Sequence, residues 1–271
     1  MSRQTSTPRE PISPLEPVTV GRSEHVQSLE RGLAVLRAFS APDASLTISE
    51  VADRTGLSRA TARRLLLTLH DLGYLTASKR AFALTPQVLE LAKPFVSHDP
   101  WEWARPYLQS LTDRLEESAS IAVLDGFDIL YVARTPTRRL MTLAVGVGSR
   151  LPAHATSKGR VLLAFLPEAE LATFFRRAAI ARYTDRTVID EQELRGILTE
   201  IRNQSWAIVD QQLEEGLCSV AAPIIDVNGR VSAALSVCAH AGRVDPVTLR
   251  NEFLPLVLET ARRVSAVLSR R

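Results

Sequence analysis

The chain has 271 residues, enough for two domains with separate cores, and its 45% hydrophobic and 23% charged content is that of a folded globular protein. No apolar run approaches the ~20 residues a membrane-crossing helix needs, and the N-terminus lacks the apolar core of a signal peptide. The two cysteines, Cys218 and Cys238, are far apart with no CxxC spacing, so a cytoplasmic protein with reduced thiols is expected.

Residues 1–21 carry Pro8, Pro11, Pro14 and Pro17 among Ser and Thr, which predicts a disordered or extended arm. From Val26 to Phe39 a helix is expected, with Leu29, Leu33, Leu36, Val35 and Phe39 as its apolar face and Pro42-Asp43 beyond its end. Thr47 to Leu72 then reads as a helix-turn-helix. Thr47 can N-cap a first helix, with Glu50 three residues on as a capping box requires. Gly56 breaks the pattern, and Ser58 can cap a second helix starting at Arg59.

At about 100° per residue, Ala62, Leu65, Leu66, Leu69 and Leu72 fall on one arc of that second helix. The opposite arc carries Arg59, Ala60, Arg63, Arg64 and Leu67, a basic face with a small residue in it, suited to a major groove. An ordinary amphipathic pair with a solvated arginine face would show some of these features. The coincidence of cap, turn glycine and basic outer face favours double-stranded DNA. Thr47, Ser58, Arg59, Ala60, Thr61, Arg63 and Arg64 are the candidate contacts from this motif.

Charge distribution agrees. The net +3 lies wholly in residues 1–93, with 12 basic and 9 acidic side chains, while the remainder is balanced. A localised positive patch is the footprint of phosphate contact. After Gly73, strands are expected at 74–76 and 82–84 around a Ser78-Lys79-Arg80 turn, the wing of a winged helix. There Lys79 and Arg80 would touch phosphate or the minor groove. A further helix opening at Thr85-Pro86 gives a linker at 86–100. The expected domains are therefore the arm (1–21), a winged helix-turn-helix (22–85), the linker helix (86–100) and a C-terminal domain (101–271).

In the C-terminal part a helix is expected from Trp101 to Glu117. Strands follow at 120–124 and 129–134 around Asp125-Gly126, and a third is expected over Met141–Val147. Helices are expected from Thr156 or Ser157 to Phe165, over Glu168–Arg177, and after an Asp190 cap. A strand at Trp206–Asp210 precedes a hairpin, Ser219–Asp226 with Arg230–Cys238, turned at Asn228-Gly229. Asp245-Pro246 starts the last helical region, with Pro255 as a kink and an apolar stripe over Val257–Leu268. Helices flanking an antiparallel sheet make this half α+β.

With a two-residue turn, Ser219 faces Cys238 and Ala221 faces Ser236, all on one side of the hairpin. Val220, Ala222, Ile224, Leu235 and Val237 take the other. Small polar groups on one face of an apolar sheet suit either a ligand cavity or local hydroxyl hydrogen bonds. Gly146 to Lys158, GVGSRLPAHATSK, is a second candidate, bringing Arg150, His154 and Lys158 ahead of a helix where anions bind. No catalytic residues are expected, since GxSxG, HExxH and zinc spacings are all missing and the five histidines are scattered. No metal or cofactor is expected either.

Five stretches resemble the IclR family of bacterial transcriptional regulators, and within it the subgroup governing aromatic-acid breakdown through the β-ketoadipate pathway. They are ATARRLLLTLHDLGYL (60–75), FALTPQVLELA (82–92), AVLDGFDILYVART (122–135), GSRLPAHATSKGRVLLA (148–164) and VDQQLEEGLCSVAAPI (209–224). The resemblance implies an N-terminal winged helix, a linker helix and a GAF-like C-terminal effector domain. It further implies homodimers, often paired as tetramers, on operator DNA, acting as repressor or activator under a small aromatic or dicarboxylic acid.

By matching positions it implies effector contacts at Arg134, Leu151, His154, Ala155, Ser157, Lys158, Asp210, Ser219, Ser236 and Cys238. The subgroup usually has YATSMGR where this chain has HATSKGR, arginine where Cys218 stands, and asparagine where Ser236 stands. Lys158 would then pair a ligand carboxylate or point to solvent. The competing readings are control of another carboxylate or sugar-acid pathway, and a small-molecule-binding module that contacts protein instead of DNA.

Overall fold

A computed structural model of the chain describes residues 25–39, 45–97, 101–137 and 145–269. The chain divides into two compact units, 1–98 and 99–271. Most of the proposed third strand, 141–144, lies outside the described residues, and 145–147 are not strand. The arm at 1–21 also lies outside them.

In the first unit, helix α1 (Gln27–Ala38) is followed by strand β1 (Leu46–Thr47), helices α2 (Ile48–Thr55) and α3 (Arg59–Asp71), strands β2 (Leu75–Ser78) and β3 (Ala81–Leu84), and helix α4 (Val88–Ser97). The strands form an antiparallel sheet in the order β1-β3-β2. Both arms of the expected capping box are present at Thr47 and Glu50. Gly56 ends α2 in the left-handed region at φ 66°, a conformation that costs glycine little. Ser58 caps α3 by accepting from the Thr61 amide.

The core of this unit joins Val35 and Phe39 to Leu46, Val51, Ala62, Leu66, Leu69, Leu75 and Phe82. The expected inner arc of α3 is thus correct at its centre and wrong at its end, because Leu72 is 58% exposed. The expected apolar face of α1 is also corrected. Only Val35 and Phe39 of the five are buried, Leu36 is partly covered, and Leu29 and Leu33 are 62% and 44% exposed. Periodicity finds an apolar stripe but not how much of its width the neighbours cover.

The second unit opens with a 3₁₀ turn (Glu102–Ala104) and helix α5 (Arg105–Leu115). Strands β4 (Ser118–Asp125), β5 (Asp128–Thr135) and β6 (Arg150–Pro152) follow, then a 3₁₀ turn (Ala153–Ala155) and helices α6 (Ser157–Ala164), α7 (Glu168–Arg177) and α8 (Glu191–Gln204). The chain closes with β7 (Ala207–Asp210), β8 (Leu217–Ile225), β9 (Val231–His240), a single helical turn α9 (Pro246–Thr248), a π-turn (Leu249–Phe253) and α10 (Leu254–Leu268). Pro255 falls in the first turn of α10, directly after the π-turn. The chain is helical on both sides of it, and the switch from i→i+5 to i→i+4 bonding there accommodates the missing N–H.

Six strands pair antiparallel in the order β6-β5-β4-β9-β8-β7. One face packs Ile121, Val220, Ala222, Ile224, Leu235 and Val237 against α5 and α10. The other packs Ala122, Tyr131, Ala221 and Ala234 against α6, whose eight residues are all buried. Helix α6 approaches so closely that a Cβ on Gly159 would lie 2.1 Å from the Ala153 carbonyl oxygen.

The β8–β9 register matches expectation: Ser219 pairs with Cys238 and Ala221 with Ser236. It does so by a different route from a two-residue turn. Asp226 and Arg230 close a three-residue loop ending at Gly229 (φ 75°). A bulge at Ser232, between the pairs Ile225–Val231 and Ile224–Ala233, restores the phase.

Candidate functional site

On the first unit, Arg59, Ala60, Arg63 and Arg64 are exposed on one side of α3, opposite the buried Ala62, Leu66 and Leu69. Arg59 is tied to α2 by a 2.6 Å bond from Nη2 to Ser49 Oγ. The side chains of Thr47 and Ser58 serve as caps, and the Thr61 hydroxyl lies 2.9 Å from Ser58 Oγ. These three polar groups build the helix ends before they are available to anything else. Lys79 and Arg80 form the exposed tip between β2 and β3, with Lys79 in the left-handed region at φ 52°.

On the second unit, a cleft between the sheet and the N-terminus of α6 is lined by Arg134, Leu151, Ala155, Ser157, Lys158, Ser219 and Cys238, seven of the ten proposed effector residues. Ser236 is fully buried beneath it. His154 and Asp210 lie elsewhere. The His154 ring is 2.9 Å from the Ala181 carbonyl oxygen and packs on Tyr183, and burial lowers its pKa. Asp210 forms an ion pair with Arg186 and accepts from Gln211. Arg150, from the same candidate loop, pairs with Asp125 and Asp128 on the outside of the β4–β5 turn.

Lys158 dominates the cleft. The side chain is 2% exposed. Its Nζ donates to Ser120 Oγ at 2.7 Å and to Ser236 Oγ at 3.0 Å, and sits 3.9 Å from the centre of the Tyr131 ring. It neither reaches solvent nor meets a carboxylate: no acidic side chain is among the described residues lining the cleft. Burial pushes the ammonium down to about 8; Cys238 opposes that shift and the nearby Arg134 guanidinium adds to it. The cleft is therefore electropositive and enclosed, a setting in which an anion is favoured.

Sequence reasoning missed Ser118, Ser120 and Tyr131. Ser118 and Ser120 carry the same alternating small-polar signal that picked out Ser236 and Cys238. Tyr131 had no usable signal. A bulge at Val132, between the pairs Ile121–Ala133 and Ala122–Tyr131, turns Tyr131 onto the same face as Arg134. Unbroken alternation would have put them on opposite faces.

Residues 94–266 match the model of the bacterial transcriptional regulator IclR C-terminal domain, and residues 28–78 that of the IclR helix-turn-helix domain. The chain is 43% identical to the Pca regulon regulatory protein of Pseudomonas putida, covering 89% of this chain and 84% of that protein. It is 34% identical to the p-hydroxybenzoate hydroxylase transcriptional activator of Acinetobacter baylyi, covering 88% and 90%. Among solved structures, a transcriptional regulator from Rhodococcus sp. RHA1 aligns with a TM-score of 0.76 at 44% identity, over 91% of this chain and 99% of that one. An IclR homologue from Microbacterium hydrocarbonoxydans, solved in complex with 4-hydroxybenzoate, aligns with a TM-score of 0.72 at 26% identity, over 90% and 98%. By both its helix-turn-helix and its C-terminal domain, this chain belongs to the IclR family of bacterial transcriptional regulators.

Proposed function

We propose that this regulator controls genes of aromatic-compound catabolism and senses a small organic acid in the cleft of its second unit. The observation that carries the reading is Lys158, a buried cation with no acidic residue beside it among those described in the cleft. A ligand carboxylate supplies the missing charge. The relatives that regulate Pca and p-hydroxybenzoate genes, and the homologue holding 4-hydroxybenzoate, support the same chemical class.

In this reading Arg63 and Arg64 face the major groove, Arg59 braces α3 while touching phosphate, and Lys79 with Arg80 tracks the backbone beside it. The protein acts in the cytoplasm as a homodimer or tetramer on double-stranded operator DNA and catalyses no reaction. Exposed Val26, Leu29 and Leu33 at and beside α1, with Leu89 and Leu91 on α4, support assembly of copies through the first unit. The effector acts by binding one arrangement of the assembly more tightly than another.

Fluorescence anisotropy tests this on DNA from upstream of the protein's own gene, at fixed salt and against random DNA, with protocatechuate, 4-hydroxybenzoate, cis,cis-muconate and β-ketoadipate added in turn. Selective binding shifted by one of these acids is the expected result. Selective binding unmoved by all four discards the pathway. Binding without selectivity there or at other promoters of such genes discards the operator reading.

A further inference from the structure

The floor of the cleft is sorted by polarity, and the sorting follows from strand register. Across β9, β4 and β5, Ser236 pairs with Ser120 and Ser120 with Arg134. Lys158 Nζ rests on the two serines. Among the described residues lining the cleft, both cations thus stand at one row of the sheet, Arg134 within it and Lys158 resting on it from α6. Two residues along the strands is a second row, in which Ser118 pairs with Cys238 and Cys238 with Ser219.

All three members of the second row line the cleft, and none carries a formal positive charge. Neighbours within a row are roughly 5 Å apart. The rows themselves are separated by about 6.8 Å, two residues of antiparallel strand. That is close to the span of a benzene ring bearing polar groups at its para positions. The walls above are Val145, Leu151, Val209, Leu213 and Leu217, which suit an apolar body between two polar ends.

We infer that the cleft binds a hydroxylated monocarboxylate in one orientation, its carboxylate at the row of Ser120 and Arg134 beside Lys158 and its distal hydroxyl on the row of Ser118, Cys238 and Ser219. This rests on the effector reading above and adds the ligand's polarity and direction. The first row supplies charge for an anion: the Arg134 guanidinium, and Lys158 Nζ held by two serines over the Tyr131 ring. The second row supplies neutral groups that exchange hydrogen bonds with a hydroxyl but leave a second carboxylate without a countercharge.

Calorimetric titration of the full chain with 4-hydroxybenzoate, benzoate and terephthalate separates the possibilities, because the three share a ring and one carboxylate and differ only at the far end. The expected order is 4-hydroxybenzoate tightest, by about tenfold over benzoate, as one well-made buried hydrogen bond gives. Terephthalate should be the weakest. In Ser118→Ala/Ser219→Ala the advantage of 4-hydroxybenzoate over benzoate should vanish, while Lys158→Met should weaken both acids by the same factor.

Equal affinity for benzoate and 4-hydroxybenzoate, a hydroxyl advantage that survives the double variant, or tightest binding of terephthalate would each overturn the orientation while leaving an acid-binding cleft. Failure of all three acids to bind would instead remove the aromatic-acid effector reading itself. The ligand comparison in the unaltered chain does not depend on any variant folding.

Discussion

Arg63 on α3 and Lys158 on α6 carry the same charge in opposite surroundings. Arg63 stands in solvent, where a cation costs little to hold. Lys158 is enclosed between two serines and an aromatic face, with burial pulling its proton affinity down. The first unit keeps its charge ready at little cost to the fold. The second stores an unfavourable buried charge, so its site is coupled to stability in a way the exposed face of α3 is not.

The sharpest test of that contrast is Lys158→Met. The lysine's pKa is lower in the folded state than in the unfolded one, so below about pH 8 both states are protonated and the cost of the buried charge is present in full. Between about 8 and the ordinary value of 10.5, the unfolded chain keeps a proton that the folded chain has shed, so stability rises with pH. The variant's margin over the wild type should accordingly be larger at pH 7 than near pH 10, by about 3 kcal/mol at 1.36 kcal/mol per pKa unit. That margin should shrink as the pH climbs past 8. Paired denaturant melts across pH 6 to 10 measure this, and a margin independent of pH breaks the comparison. The reciprocal expectation is that carboxylate binding takes up a proton and weakens above pH 8.

Gly159→Ala should destabilise the second unit by about 3 kcal/mol, since a methyl group at 2.1 Å from the Ala153 carbonyl oxygen forces α6 and the Ala153–Ala155 turn apart. Effector affinity should fall with it, read by titration with 4-hydroxybenzoate, whereas binding to DNA without effector should not. Arg63→Ala should cost about 2 kcal/mol on the cognate operator and little in thermal stability, the mirror image of Lys158→Met. Equal losses on operator and random DNA would reassign Arg63 from a base edge to phosphate. Thr47→Ala is the smallest change, about 1 kcal/mol of stability from the lost cap of α2. If its effect on DNA affinity exceeds its effect on the melt, Thr47 touches DNA in addition to capping.

The first unit was almost wholly legible because its determinants are local. A capping box, a left-handed glycine and a 3.6-residue period act within a few residues of one another, and each fell where expected. What was misjudged there, the exposure of Leu29, Leu33 and Leu72, depends on which elements pack across them. The second unit was legible in five of its six described strands, β6 falling in the stretch before α6 where no strand was expected, and in the pairing of Ser219 with Cys238, though that pairing arises from a three-residue loop offset by a bulge. His154 and Asp210 were placed with the effector residues by position in a motif, and their side chains turn to Ala181 and Arg186 instead.

The amino-acid sequence by itself determined the two-part organisation, the basic outer face of α3 and the polar face of the β8–β9 hairpin, because periodicity and caps are read within one element. Only the tertiary structure decided that Lys158 points inward, that it rests on Ser120 and Ser236 from two different strands, and that a bulge brings Tyr131 beneath it. Whether a lysine is a solvated charge or a buried one waiting for an anion depends on what surrounds it in space. The partners that enclose Lys158 lie 38 and 78 residues away along the chain.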